Sequence, residues 1–278
     1  MDIQSYFNKQ SAKIDSALDK FLPSEKELPV KLHRAMRYAV FSGGKRIRPI
    51  LTLAACQAVG GNPKEAMPAA CAIELIHNYS LVHDDLPCMD DDNVRRGRPT
   101  CHKKFGEVTA LLAGDALLTL AFGVLSSSNG YHDAKGAQRR LLAARMVAEA
   151  VGTRGMVGGQ AVDIEFQNKE VDLPTIEYIN THKSGALIVA SLKVGALLGG
   201  GTQKQIKALT QYGRYVGLVF QIVDDILDRE GYAKVIGRPE AIKEAKSLVE
   251  KAKTQIRIFG SKGVFLHKIA DFILMRNH

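Results

Sequence analysis

An all-α fold is what this sequence predicts, and three observations carry it. Prolines fall at 23, 29, 49, 63, 68, 87, 99, 174 and 239, leaving 100–173 and 175–238 proline-free. Those stretches are rich in Ala and Leu, both good helix formers, and Leu111, Leu112, Ala116, Leu117 and Leu120 recur at helical spacing. Alternating Val/Ile/Thr runs closed by Asn-Gly turns are almost wholly missing, so strands have little to form from. Ordinary helix and connection lengths then predict ten or more helices in one domain over 1–278.

Taken in order, residues 3–21 predict an amphipathic helix with Phe7, Ile14, Leu18 and Phe21 on one face. Next, Ser42-Gly-Gly-Lys-Arg-Ile-Arg-Pro49 combines a flexible glycine pair with three cations. Lys45, Arg46 and Arg48 read as clustered phosphate donors, with arginine suited to bidentate oxygen contacts. It is not a P-loop, because the Gly-x4-Gly-Lys-Ser/Thr spacing is absent and no strand precedes it. Glycine clusters at 43–44, 60–61, 158–159 and 199–201 predict helix ends or close backbone approaches.

The segment from Leu81 to Gly97 is the densest in chemistry. It holds Asp84, Asp85, Asp90, Asp91 and Asp92 just ahead of Arg95 and Arg96. Like charges ~4 Å apart at an effective dielectric near 20 cost roughly 4 kcal/mol per pair, so such a cluster needs an offsetting cation. Asp84 and Asp90 are six apart with Pro87 between them, and a bulge at Pro87 would return Asp90 to the face of Asp84. A second cluster, Asp224-Asp225-Ile226-Leu227-Asp228, puts Asp224 and Asp228 at i, i+4 on one helix face within an apolar run. A helix with solvated or lysine-paired acids is the plainer alternative. Oxygen-only ligands favour Mg²⁺, and no Cys/His set has zinc-ligand spacing.

The bulk numbers exclude other classes. The net charge of +9 permits nucleic acid, but the lysines are scattered, aromatics are 6% and Trp is absent, so no stacking platform stands out. No apolar run of about 18 residues suggests integral membrane association. Met1–Phe7 shows no secretory signal, and Cys56, Cys71, Cys88 and Cys101 read as reduced thiols, so a cytoplasmic location is expected.

Together these motifs resemble the trans-isoprenyl diphosphate synthases, and most closely the bacterial farnesyl diphosphate synthases. The resemblance also rests on Ile76-His-Asn-Tyr-Ser80, Ala113-Gly-Asp-Ala-Leu117, Gly159-Gln-Ala-Val-Asp163, His182-Lys-Ser-Gly-Ala186 and Gly217–Asp228, in the family's order. It implies a helical bundle around a central cavity, usually a homodimer. It implies condensation of isopentenyl diphosphate with dimethylallyl or geranyl diphosphate, on three magnesium ions with manganese as a substitute. Asp84, Asp90, Asp224 and Asp228 would hold metal, with Asp85 supporting. Arg95, Lys183, Ser184 and Gln221 would meet the allylic substrate, and Ser184 stands where the family often has threonine. Lys45, Arg48, His77 and Arg96 would hold isopentenyl diphosphate.

Tyr79 and Ser80 lie five and four residues before Asp84, about one helical turn from the metal. With the two-residue insertion Pro87-Cys88, an aromatic there resembles the farnesyl-forming type. Geranylgeranyl or geranyl diphosphate synthases, a non-catalytic regulatory subunit and a terpene cyclase remain the alternatives. The isopentenyl set counts against the cyclase.

The resemblance breaks after Asp228. The family's longer loop, with a lysine that reaches the allylic diphosphate, is absent, and Asp228-Arg-Glu230 runs straight into Gly231–Gly237. The clean join favours a lid missing from the chain over a native deletion. If the deletion is native, closure over the diphosphate and the third magnesium are in doubt, with Arg229 and Lys234 as the nearest replacements.

Overall fold

A computed structural model describes residues 2–127, 134–167, 169–228 and 231–275. Among them are fourteen α-helices, one π-helical turn, one 3₁₀ segment and a single two-stranded hairpin, so the all-α expectation holds. The backbone divides into two compact units, Gln4–Ile50 with Met67–Tyr131, and Met1–Ile3 with Leu51–Ala66 and His132–His278. Neither is continuous in sequence, and the boundaries at 3/4, 50/51 and 66/67 fall inside three helices.

The first-named unit opens on α1 (Ile3–Phe21), the amphipathic helix the sequence predicts, burying Tyr6, Phe7, Ile14 and Leu18. After it come α2 (Val30–Val40) and the start of α3 (Ile47–Ala58), whose Pro49 sits in the first turn, where its missing N–H costs little. Helix α4 (Pro63–Asp84) has proline as its first residue, with φ preset for a helix start. The hairpin β1 (Val94–Arg95) and β2 (Arg98–Pro99) follows, with α5 (Cys101–Phe105) and α6 (Glu107–Ser126) packed on α2.

Helix α6 is long and apolar enough to cross a membrane by length and composition alone. Its sequence carries Glu107 and Asp115, which is why no uninterrupted apolar run is visible in the chain. One side, with Ala110, Ala113, Leu117 and Ala121, is buried; Val108, Leu111 and Leu112 are exposed.

The other unit holds α7 (Ala134–Val151), α8 (Met156–Phe166), α9 (Leu173–Ile179), the π-turn Asn180–Gly185, α10 (Ala186–Leu198), α11 (Gln203–Asp228), α12 (Gly231–Ile236), α13 (Arg238–Gln255) and α14 (Val264–Leu274). Helix α9 starts at Asp172, whose carboxylate accepts from the Thr175 N–H at 3.0 Å. Helix α10 is apolar nearly all round and almost wholly buried, packing on α7 and α11. Close approach explains two glycines there. A Cβ at Gly195 would lie 2.1 Å from the Thr52 carbonyl oxygen, and one at Gly61 would lie 2.3 Å from the Gly199 Cα. Helix α10 therefore meets the Leu51–Ala66 segment backbone to backbone.

Candidate active site

In the first unit the acidic motif begins where α4 stops. Pro87 does not bulge a continuing helix, as the sequence suggests; the helix ends at Asp84 and the chain folds into a turn. The Asp90 N–H donates to the Asp84 carbonyl at 2.9 Å, while the N–H groups of Met89 and Asp91 donate to Leu86. The two expected ligands thus share one backbone hydrogen bond. Asp85 turns inward to 3% exposure, where Arg95 Nε donates to it at 2.6 Å. Burial pushes its carboxyl above the ordinary range, and Arg95 pulls it part of the way back.

The adjacent arginines go separate ways because of the hairpin. Arg95 pairs with Arg98 across it, and Arg96 and Gly97 both have positive φ, at 54° and 72°. That is the two-residue type I′ turn, whose twist matches the strands. Arg95 bridges Asp85 and Asp92, the latter at 2.9 Å, whereas Arg96 donates to the Gly43 carbonyl and lies against Gly44. Arg96 is thereby seated on the glycine turn that leads into Lys45. Arg48 Nη1 donates to His77 Nε2 at 3.4 Å. Burial, and then Arg48 and Arg96, hold the His77 imidazole well below its ordinary pKa, so it stays neutral and accepts. A cavity of about 40 Å³ beside Arg95 and Arg96, bordered by Tyr38, Ser42, Asn78 and Asp85, has room for water.

One expected phosphate donor drops out. Arg46 is 4% exposed, its Nε donating to Asp15 and its Nη1 to Glu74, both at 2.8 Å, and its Nη2 to the Val40 carbonyl at 2.6 Å. It is an interior strut, because its backbone at φ 49° turns the side chain into the fold. Tyr79 is buried, with its ring edge-on to His83, and Ser80 donates back to the His77 carbonyl at 2.9 Å.

In the second unit, α11 carries Gln221, Asp224 and Asp228 at i, i+3 and i+7, one side of the helix. Gln221 and Asp224 are half-buried and Asp228 is exposed. Lys183 and Ser184 ride on the π-turn, a local widening common at functional sites and invisible to a 3.6-residue pattern. Lys183 Nζ lies 2.5 Å from Asp163 Oδ2. The backbones meet through Gly159, where a Cβ would fall 2.2 Å from the Lys183 nitrogen. Asp163 and the neighbouring Gln160, whose buried amide atoms have no protein partner, were not singled out from the sequence. Their only signal was the Gly-Gln-x-x-Asp spacing.

Asp225 does something different. Its Oδ2 accepts from the Tyr232 N–H at 2.7 Å, pinning the start of α12, and Gly231 at φ 48° passes so close that a Cβ would lie 2.5 Å from that oxygen. Arg229 and Glu230 lie outside the described residues. Burial pushes the Asp225 carboxyl up to about 6, reinforced by Asp224 and Asp228 and opposed by the Tyr232 amide. The raised value means the charged form is disfavoured on folding. The cost is absent below the unfolded value near 3.8, grows as pH rises through 6 and is full above it. Asp225→Asn keeps an acceptor for Tyr232. Urea melts in metal-free buffer should show it more stable than wild type by about 3 kcal/mol at pH 8, the gap vanishing below about pH 4.

The donor chemistry fits magnesium. Among the described residues no three His, Cys, Asp or Glu side chains already converge on one point. A magnesium ion commonly takes one or two carboxylates and completes its shell with water and phosphate oxygens, which matches the paired acids of each unit.

Comparison with known proteins agrees. Residues 29–249 match the polyprenyl synthetase family. The chloroplastic heterodimeric geranylgeranyl pyrophosphate synthase large subunit 1 of Arabidopsis thaliana is 45% identical over 262 residues, 93% of this chain and 69% of that protein. The farnesyl diphosphate synthase of Geobacillus stearothermophilus is 44% identical over 239 residues, 86% of this chain and 80% of that one. Among solved structures, an apo FPP/GFPP synthase from Zymomonas mobilis superposes with a TM-score of 0.92 at 39% identity, over 98% of both chains. A helical chain with these motifs and these relatives belongs to the polyprenyl synthetase family, the trans-prenyl diphosphate synthases.

Proposed function

We propose that the protein is a magnesium-dependent farnesyl diphosphate synthase, condensing isopentenyl diphosphate with dimethylallyl and then geranyl diphosphate. Lys45, Arg48 and Arg96 hold the isopentenyl diphosphate, with neutral His77 accepting from Arg48 so that the guanidinium stays oriented. Lys183 and Arg95 exchange their carboxylate partners, Asp163 and Asp85, for the allylic diphosphate. Asp84 with Asp90, and Asp224 with Asp228, would hold magnesium, which when bound would supply positive charge to stabilise the departing diphosphate. The allylic C–O bond breaks with its electron pair leaving on diphosphate. The isopentenyl double bond then bonds to the resulting carbon cation, and the proton lost goes to diphosphate.

The C15 length rests on one observation. Tyr79, five residues before Asp84, is a buried aromatic at 6% exposure on the helix that ends at Asp84. Its ring closes the path of a prenyl tail after two condensations. Purified protein given Mg²⁺, isopentenyl diphosphate and dimethylallyl diphosphate should yield C15 as its main product by mass spectrometry. Tyr79→Ala should move the main product to C20 or beyond, and C15 from that variant would remove tyrosine as the stop. A C20-forming enzyme is the second reading, favoured by relatives such as geranylgeranyl pyrophosphate synthase 4 of Arabidopsis thaliana, 43% identical over 300 residues. The working unit we propose is a homodimer joined through the exposed Val108, Leu111 and Leu112 side of α6. We place it in the cytoplasm, which suits its four free cysteines.

A further inference from the structure

We propose that His83, seated against Gly114, braces Tyr79 and so sets the product length together with it; this rests on the synthase reading above. Tyr79 and His83 are i and i+4 on α4, one above the other on the same face. Their rings meet edge to face, with centroids 5.6 Å apart and planes at 84°. The imidazole is itself fixed. Its Nε2 donates to the Leu111 carbonyl on α6 at 3.0 Å, and Asp115 lies 3.8 Å from the same nitrogen. Space for the ring exists because residue 114 has no side chain: a Cβ there would sit 2.1 Å from His83 Nε2.

The consequence follows from packing. A phenol ring turns aside when the neighbour in contact with it is deleted, because the vacated volume admits another rotamer. With His83 in place that volume is full and Tyr79 stays across the tail's path. With His83 gone, Tyr79 can swing into the gap and admit a further five-carbon unit while remaining tyrosine. His83 is a positioning residue: it acts on the product through Tyr79.

The test compares wild type with His83→Ala, His83→Gln, Gly114→Ala and Tyr79→Ala, sizing products from isopentenyl and dimethylallyl diphosphate. Circular dichroism confirms that each variant is folded. His83→Ala should raise the C20:C15 ratio about tenfold, the discrimination that one pocket contact carries. His83→Gln, which can still donate to the Leu111 carbonyl, should stay closer to wild type. Gly114→Ala should raise the ratio as well, since its methyl expels the imidazole, and it decides the matter if His83→Ala does not fold. Longer products from Tyr79→Ala but an unchanged ratio in folded His83→Ala or Gly114→Ala would overturn the brace while leaving the tyrosine stop intact. Activity lost at a constant ratio would overturn it too, since His83 would then act only on the adjoining Asp84. If Tyr79→Ala itself leaves the length unchanged, the tyrosine reading falls and takes the brace with it.

Discussion

Arg46→Ala is expected to destabilise the protein by about 3–5 kcal/mol, the cost of leaving a buried charge without its partner. The stranded group is Glu74, whose side chain is 2% exposed and whose Oε1 lies 2.8 Å from Arg46 Nη1. Asn78 donates to that carboxylate at 3.3 Å, but a neutral amide cannot replace a guanidinium. The Val40 carbonyl loses its donor as well. In a protein of this size a loss of that magnitude lowers the melting temperature by roughly 10 °C, which circular dichroism would read directly. Arg46→Lys should recover only part, because one ammonium cannot reach Asp15, Glu74 and Val40 in the guanidinium's fixed fork. The double variant Arg46→Met/Glu74→Met should be more stable than Arg46→Ala, since it removes both charges and keeps the volume. A single variant that melts with wild type would show the network to be dispensable.

Asp84→Ala and Asp224→Ala should each lower kcat by at least about 10²–10³-fold, the scale on which loss of one preorganised electrostatic group acts on a leaving anion. Asp225 supplies the contrast between functional and structural acids. Asp225→Asn should retain most activity, because its carboxylate serves the Tyr232 N–H. A magnesium titration supplies the diagnostic readout: the half-saturating concentration should rise in the Asp84 and Asp224 variants and hold steady for Asp225→Asn. If Asp225→Asn alone shifts the magnesium requirement, the assignment of capping to Asp225 and metal to its neighbours is reversed.

Much of this was legible in the residues. Helix α1 runs over the very span that its apolar spacing predicts, because burial of Phe7, Ile14 and Leu18 on one side is a local property of the chain. The glycine clusters at 60–61, 158–159 and 199–201 mark close approaches, though only the fold tells which backbone presses on each. Lys45, Arg48, His77 and Arg96 were expected together, and the structure joins Arg48 to His77 and sets Arg96 on the turn before Lys45. The failures share a cause. Arg46 sits between two cations of the motif and looks like them in composition, but its left-handed backbone sends it to Glu74, 28 residues away. The hairpin over residues 94–99 is too short for a strand pattern, and the π-turn under Lys183 adds a residue that no helical period anticipates. Each depends on a partner distant in sequence or on one or two backbone angles.

The discontinuity of the two units also dictates an order of events during synthesis. Leu51–Ala66, with the apolar Leu51, Leu53, Ala54, Ala55 and Cys56, leaves the ribosome early, yet belongs to a unit that, apart from Met1–Ile3, resumes only at His132. Thr52 must wait for Gly195, 143 residues later (195 − 52). At ordinary translation rates roughly 10–30 s pass before that close approach can form. The other unit has all its segments once Tyr131 has emerged. The nascent chain therefore passes through a stage in which residues 51–58 are made but the backbone partner of Thr52 is not.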